Sequence, residues 1–103
     1  MIQAIQHKIR MRQYEFSRHA LDQSIRREIS IAEFEESLLG GAEIIEDYPT
    51  DKYGPSCLIL GITHAGRALH VLCSDPSRPL LKVITLYEPD LSKWVDARTR
   101  RDS

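Results

Sequence analysis

Apolar residues recur at helical spacing in the first forty residues and at strand spacing after that. Residues 2–12 place Ile2, Ile5 and Ile9 on one stripe, which predicts a first helix. The next three residues, 14–16, read as a short link or an extended segment. The chain therefore begins with an amphipathic helix that needs a partner surface.

A second helix is predicted over residues 18–28. Ser17 precedes it, and a serine hydroxyl can accept a hydrogen bond from a backbone N–H that has no partner inside the helix. At about 100° per residue, one side of this helix is apolar and the opposite side is polar. The residues expected to pack are Leu21 and Ile25, with Ala20 and Ser24 at the margin.

A third helix begins with the capping box Ser30 to Glu33. In this motif the Ser30 side chain can accept from the backbone N–H of Glu33, and the Glu33 side chain can accept from the backbone N–H of Ser30. Gly40 and Gly41 end it, because glycine tolerates the left-handed backbone that stops a helix. The residues expected to pack this helix against the core are Ile31, Phe34 and Leu38.

From residue 42 the pattern indicates an antiparallel meander. Four strands are expected, over residues 43–48, 56–62, 68–73 and 80–87. Residues 64–67 are expected to form a hairpin turn, and 91–98 a short helix docked by Trp94. The predicted fold class is α+β, with two or three N-terminal helices on one face of a roughly four-stranded, mainly antiparallel sheet.

The 103 residues, 42% of them hydrophobic and 28% charged, predict one domain over 1–103 with a core near 14–94 and a mobile basic tail over 98–103. No apolar run approaches the roughly 20 residues that span a bilayer, and residues 1–12 lack a signal-peptide pattern, so we expect a cytoplasmic protein with no membrane contact. Cys57 and Cys73 lack metal-site spacing and are interpreted as buried core thiols.

Charge is segregated along the chain although the total is only -1. Residues 1–27 carry a charge of +4, residues 28–51 carry -8, and residues 52–103 carry +3. If the fold joins the two basic blocks, one surface can meet nucleic acid while an acidic surface meets another partner. The near-neutral total predicts local, salt-sensitive contact with RNA and excludes avid, non-specific binding.

The polar side of the second helix carries the first candidate chemistry. His19 lies there with Gln23, Arg26 and Arg27, which places an imidazole that titrates near neutral pH beside cations that can hold a phosphate. The alternative is a solvated helix face with no further role.

The order of elements resembles the RelE-like ribonuclease toxins. More closely, the chain is similar to a toxin-like family known as domain of unknown function 4258. The residues that carry this resemblance, over about 14–94, are Ser17-Arg18-His19-Ala20, Arg27, Ile29-Ser30, Ile44-Ile45-Glu46, Tyr48-Pro49, Asp51 to Cys57 and Ile84-Thr85-Leu86-Tyr87. Gln23 and Glu28 depart from the family pattern, where Arg and Gly are common, and the first change removes a possible phosphate contact.

The resemblance implies metal-independent cleavage of RNA by attack of the 2′-hydroxyl, with no cofactor. It also implies a small antitoxin partner, in one subgroup a zinc-finger protein. His19 is then the first candidate acid or base, and Arg26 and Arg27 would hold phosphate. Further candidates are Lys82, Tyr87 and His70, with Arg78 and Arg18 as weaker sources of positive charge.

Two alternatives stay open at this point. The chain could be a catalytically inert RelE-like module that binds a protein through its sheet and acidic third helix. Alternatively, Cys57, Cys73 and His70 could hold a structural zinc if the hairpin register places the thiols opposite each other. His70 itself could be a catalytic partner on an open sheet face or a histidine hydrogen-bonded on a half-covered one.

Overall fold

The computed structural model describes residues 1–52 and 54–102 and confirms the α+β class. Three helices are present: α1 (Ile2–Arg10), α2 (Arg18–Arg26) and α3 (Ile31–Leu39). The strands are β1 (Tyr14–Phe16), β2 (Glu43–Tyr48), β3 (Ser56–Ile62), β4 (Ala68–Ser74), β5 (Leu81–Tyr87), β6 (Trp94–Val95) and β7 (Thr99–Arg100).

The main sheet has five strands in the order β1-β5-β4-β3-β2, one more than expected. The extra strand is the short segment 14–16, which pairs parallel with β5, so that Tyr14 lies opposite Leu81 and Phe16 opposite Val83. Three residues are too few to show a strand period, and their partner lies far along the chain. The prediction of an antiparallel meander is confirmed for β2 to β5.

The C-terminal segment is a second, two-stranded sheet, so the helix predicted over 91–98 is wrong. Asp96 and Ala97 adopt left-handed φ angles of 52° and 61°, which turns the chain back and pairs β6 with β7. Trp94 is buried and docks the segment as expected, although from a strand. Residues 99–100, expected in a free tail, form β7.

The core lies between the helices and one face of the main sheet. Each helix except α2 contributes large apolar side chains, and β3 and β4 contribute alternate residues, as a strand with one buried face must. β5 contributes Leu81, Val83 and Leu86, because an irregularity in its pairing with β4 shifts the alternation between Val83 and Thr85. Among the fully buried residues of this core are Ile5, Ile9, Phe34, Leu38, Ile59, Val71 and Leu86.

α2 packs through its small residues, which corrects the predicted packing side. Ala20 and Ser24 are buried, whereas Leu21 is 49% and Ile25 70% exposed. The small side chains let the helix lie close to the edge of β5, where the Ser17 hydroxyl donates to the Ile84 carbonyl over 2.8 Å. Spacing on a helix wheel could not show this, because it does not reveal how close the neighbouring strand lies.

α3 packs through Phe34 and Leu38 as expected, with Ser37 beside them, but Ile31 is 50% exposed and does not join them. With Leu21 and Ile25 it forms an exposed apolar patch across α2 and the start of α3. We refer to these three residues as the apolar patch.

The other face of the main sheet points away from the helices and is called the open face. Two observations place side chains on this face: they alternate with core residues along a strand, or they lie opposite another residue of the same face on the next strand. The open face presents Glu46, Tyr48, His70, Leu72, Lys82 and Tyr87. The β6–β7 hairpin covers one end of it. No helix in the described residues is long and apolar enough to span a bilayer.

Candidate active site

Tyr87 and His70 form a hydrogen-bonded pair at the covered end of the open face. They lie directly opposite each other on β5 and β4, and the Tyr87 oxygen is 3.4 Å from His70 Nδ1. His70 is fully buried, and its Nε2 lies 2.6 Å from the Ala97 carbonyl oxygen in the turn of the β6–β7 hairpin. Since a carbonyl only accepts, Nε2 carries the proton and Nδ1 is left to accept from the phenol.

Both members of this pair are neutral near pH 7. Burial lowers the pKa of His70 below its usual value, although the bond to the Ala97 carbonyl opposes the shift. Burial also raises the pKa of Tyr87, which keeps the phenol protonated. The ring of Trp94 stacks edge-on against His70 with centroids 4.5 Å apart and keeps water from the imidazole. The phenol therefore faces a neutral imidazole nitrogen that can accept its hydrogen bond.

A cleft of about 510 Å³ opens in front of Tyr87. Three different parts of the chain supply its walls, namely the end of α2, the end of β5 and the C-terminal hairpin. We call it the Tyr87 cleft, and it is lined by Arg27, Tyr87, Glu88, Asp90, Lys93, Trp94 and Arg100. Its three cations and its phenol are the groups that a phosphodiester needs for binding and reaction.

The two acidic residues of the cleft are engaged by neighbours. Glu88 accepts from the Arg67 guanidinium over 2.9 Å, and this hydrogen bond lowers the pKa of Glu88. Asp90 accepts from the hydroxyl and the backbone N–H of Ser92. Arg67 thus offsets the negative charge of Glu88 before any ligand enters, whereas Ser92 orients the Asp90 carboxylate without neutralising it.

Arg67 holds the Arg27 side of the cleft in place. Its guanidinium donates to the carbonyl oxygens of Arg27 and Glu28, over 2.8 and 2.9 Å, where the end of α2 leaves these groups without helical partners. It also bonds Glu33 of the α3 capping box. Sequence reasoning missed Arg67, because four partners far apart in the chain give no local signal.

Arg100 is fixed on the opposite side of the cleft. It donates to Glu46 over 2.8 Å, and its guanidinium carbon lies 4.6 Å from the centre of the Trp94 ring. Arg100 and Lys93 were also missed, since they fall in a segment that was expected to be a helix followed by a mobile tail. Hairpin pairing, which depends on left-handed backbone at two ordinary residues, brings them to the cleft.

The structure brings Arg27, His70 and Tyr87 together and leaves the other predicted residues apart. His19 and Arg26 are exposed on α2 and do not line the Tyr87 cleft. His19 is the second residue of α2 and Arg27 follows its end, which separates them by about 12 Å along the axis. Lys82 and Arg78 line a different cleft. The role of His19 therefore stays a prediction.

The zinc alternative is wrong for the residues that it named. Cys57 and Cys73 do lie opposite each other, with their sulfur atoms 3.9 Å apart, but both face the helices. His70 occupies an alternate position of β4 and faces the other side of the sheet. Nowhere in residues 1–52 and 54–102 do three His, Cys, Asp or Glu side chains gather as a metal site.

The buried imidazole predicts that the protein loses stability in mild acid. The unfolded chain protonates His70 near pH 6.5, whereas the folded chain resists protonation, so the free energy of unfolding is greatest above that pH and falls below it. Each unit of pKa lowering corresponds to about 1.4 kcal/mol. Urea unfolding at about pH 7 and about pH 5.5 measures the loss.

The variant His70→Gln should show a smaller decrease between the two pH values, because it has no imidazole to protonate. His19→Gln, which removes an exposed imidazole, should keep the wild-type dependence. An identical decrease in wild type and His70→Gln would contradict the assignment.

The protein is thus an α+β domain with a mixed five-stranded sheet, and a phenol–imidazole pair lies on its open face. The chain belongs to the family described as "Domain of unknown function (DUF4258)", whose model matches residues 16–88. That range contains Arg27, His70 and Tyr87, while Lys93 and Arg100 lie beyond it. No curated protein and no solved structure matches the chain.

Proposed function

We propose that this protein is a toxin-like endoribonuclease that cleaves RNA through attack of the 2′-hydroxyl on the adjacent phosphate, without a metal ion. One observation carries the proposal. Tyr87, backed by the buried His70, faces a cleft that is walled by Arg27, Lys93 and Arg100.

The proton leaving the 2′-hydroxyl is accepted by the Tyr87 oxygen while the phenol passes its own proton to His70 Nδ1. The phosphorus forms a bond to the 2′-oxygen and breaks its bond to the 5′-oxygen, which takes a proton from solvent. The products are a 2′,3′-cyclic phosphate and a 5′-hydroxyl. A base of this kind contributes about 10² to 10⁴ in rate.

The cations of the cleft stabilise the charge that grows on the phosphate oxygens during this step. Arg27 follows α2, whereas Arg100 lies in the C-terminal hairpin and Lys93 directly precedes it. The three converge without a substrate, so little reorganisation is needed when the transition state forms. Arg100 is already oriented by Glu46, and Arg27 by the bond from its Nε to Gln23 Oε1 over 3.1 Å. Gln23, which departs from the family pattern, thus acts on a neighbouring arginine.

The wider setting of the proposal rests on the resemblance to RelE-like toxins. It assigns the protein to a cytoplasmic toxin–antitoxin pair, with RNA as substrate and a small zinc-finger antitoxin as partner. The acidic helix α3 and the apolar patch lie outside the lining of the Tyr87 cleft, and we assign them to such a partner.

Purified protein should cut single-stranded RNA in the presence of a chelator and leave 5′-hydroxyl and cyclic-phosphate ends. Arg27→Gln should lower the cleavage rate by about 10² because it removes one donor to the charged transition state. The end chemistry is read with a phosphatase and kinase treatment of the fragments.

Arg10→Gln is the matched control, since Arg10 is exposed on α1 and does not line the cleft. It should cleave like the wild type. Equal cleavage by all three proteins would trace the activity to a contaminant and contradict the proposal.

The second candidate is an inert protein-binding module, and the apolar patch favours it. Leu21, Ile25 and Ile31 are each about half exposed or more, and a shallow apolar depression of about 480 Å³ lies among them. Exposed apolar side chains grouped in this way are typical of protein interfaces. Tight binding of a small partner, with intact RNA in the assay above and with ribosomes added, would select this function.

A further inference from the structure

We propose that a second cleft, lined by Lys82 and Arg78, holds a phosphate of the same RNA strand, so that the strand lies along the open face of β5. This inference rests on the proposed function, because it assumes that RNA enters the Tyr87 cleft. It assigns to Lys82 and Arg78 a binding role away from the reacting bond.

The Lys82 cleft has a volume of about 490 Å³, large enough for a nucleotide phosphate and its sugar. It lies where β5 begins, at the opposite end of the strand from Tyr87. The residues that line it are Ser17, Asp51, Gly54, Pro55, Ser74, Arg78, Lys82 and Ile84.

Several basic residues of the C-terminal half are held in ion pairs, whereas the described residues supply no acidic partner to the cations of this cleft. Arg67, Arg98 and Arg100 each form an ion pair with a glutamate. Among the described residues, neither Lys82 nor Arg78 forms an ion pair. Their charge is available to an anion.

Asp51 is the acidic residue of this lining, and its carboxylate is occupied. One oxygen accepts from the Lys52 N–H over 2.8 Å, and the other accepts from the Ser56 hydroxyl over 3.1 Å. Arg78 lies over Gly54, where a Cβ would be 3.8 Å from its Nη2. The guanidinium therefore sits at the cleft although it is carried by an exposed loop.

The strand register places both clefts on the same side of the sheet. Tyr87 pairs with His70 on the open face, and Lys82 lies between the buried core residues Leu81 and Val83, so it points to the same face. Thr85 lies between them, opposite Leu72.

Lys82 and Tyr87 are five positions apart on β5, which is at most about 16 Å at a strand rise of about 3.3 Å per residue. One phosphate cannot contact both clefts. An RNA strand rises about 3.4 Å per stacked nucleotide, so several nucleotides reach from one cleft to the other. The substrate class is therefore single-stranded RNA longer than the dinucleotide that reacts, and the Lys82 cleft binds a flanking phosphate.

Binding is tested with 2′-O-methyl RNA, which cannot supply the attacking hydroxyl, in lengths of about three and about eight nucleotides. The double variant Arg78→Gln/Lys82→Gln should weaken the longer strand about tenfold at low salt and reduce the slope of log affinity against log salt by about 1.4, for two lost phosphate contacts. The short strand should bind as it does to wild type. Fluorescence anisotropy measures both.

Arg10→Gln/Arg12→Gln removes two exposed cations outside both clefts and should leave the slope unchanged. An unchanged slope in the Lys82-cleft variant, an equal loss for both lengths, or no binding by the wild type would overturn the inference.

Cleavage of unmodified RNA by the same proteins separates this inference from the proposed function. If the wild type cleaves RNA but the double variant keeps the wild-type slope of log affinity against log salt, only the Lys82 subsite is overturned. The expected drop in slope without any cleavage supports the subsite and overturns the nuclease.

Discussion

Replacing Gly61 by alanine is expected to lower the free energy of unfolding by about 3 kcal/mol, the upper range for an overpacked core. Gly61 lies on the helix-facing side of β3, and a Cβ there would come within 2.6 Å of the Ser37 carbonyl carbon and 2.9 Å of Ser37 Cβ. The obstacle is backbone, so a change of rotamer cannot relieve it. α3 would have to move away from the sheet.

That movement is costly because α3 is held by fully buried Phe34 and Leu38. Urea unfolding of the variant measures the loss. Gly41→Ala is the matched control, since apart from the adjoining residues no described atom lies within 4 Å of a Cβ at that position, and its stability should stay within about 0.5 kcal/mol of wild type. Equal stability of the two variants would show that α3 does not pack this closely on β3.

Replacing Tyr87 by phenylalanine is expected to lower RNA cleavage by about 10² or more, because the relay from the 2′-hydroxyl to His70 loses its only carrier. The ring remains and continues to pack against His70, so the fold should be retained. Single-turnover cleavage rates, measured at saturating RNA, separate this loss from weaker binding.

Tyr14→Phe is the control for removal of a phenol as such. Tyr14 donates to Glu35 over 2.6 Å on the helix side of the sheet, away from the cleft. Its cleavage rate should equal that of the wild type. In wild type the rate should rise with pH until His70 is neutral and then level off, because the imidazole must accept a proton. Unimpaired cleavage by Tyr87→Phe would remove the phenol from the mechanism.

Much of the fold could be predicted where the signal is local. Ser17 and the Ser30 to Glu33 capping box begin α2 and α3 as expected, and all three side-chain bonds to backbone N–H groups are present. The strands β2 to β5 follow their apolar runs to within one residue. These features depend on neighbours within a few residues, which a sequence displays directly.

The failures share a different cause. β1 has no period of its own and exists because β5 offers an unpaired edge. The C-terminal hairpin needs left-handed backbone at both Asp96 and Ala97, and alanine seldom adopts that conformation. The exposed Leu21 and Ile25 were expected inside, because a helix wheel shows which face is apolar but not which face a strand approaches.

The candidate site also combines local features, which could be predicted, with long-range contacts, which could not. The residue types at positions 27, 70 and 87 could be named from the sequence, since an imidazole, a phenol and an arginine suit phosphate chemistry wherever they stand, and strand alternation placed His70 opposite the core. Their assembly depended on register between β4 and β5, on Arg67 at the end of α2, and on a hairpin that carries Lys93 and Arg100 to the same cleft. Local backbone preferences act over a few residues, so the sequence shows them directly. Whether side chains that are far apart in the sequence come together depends on how the whole chain packs.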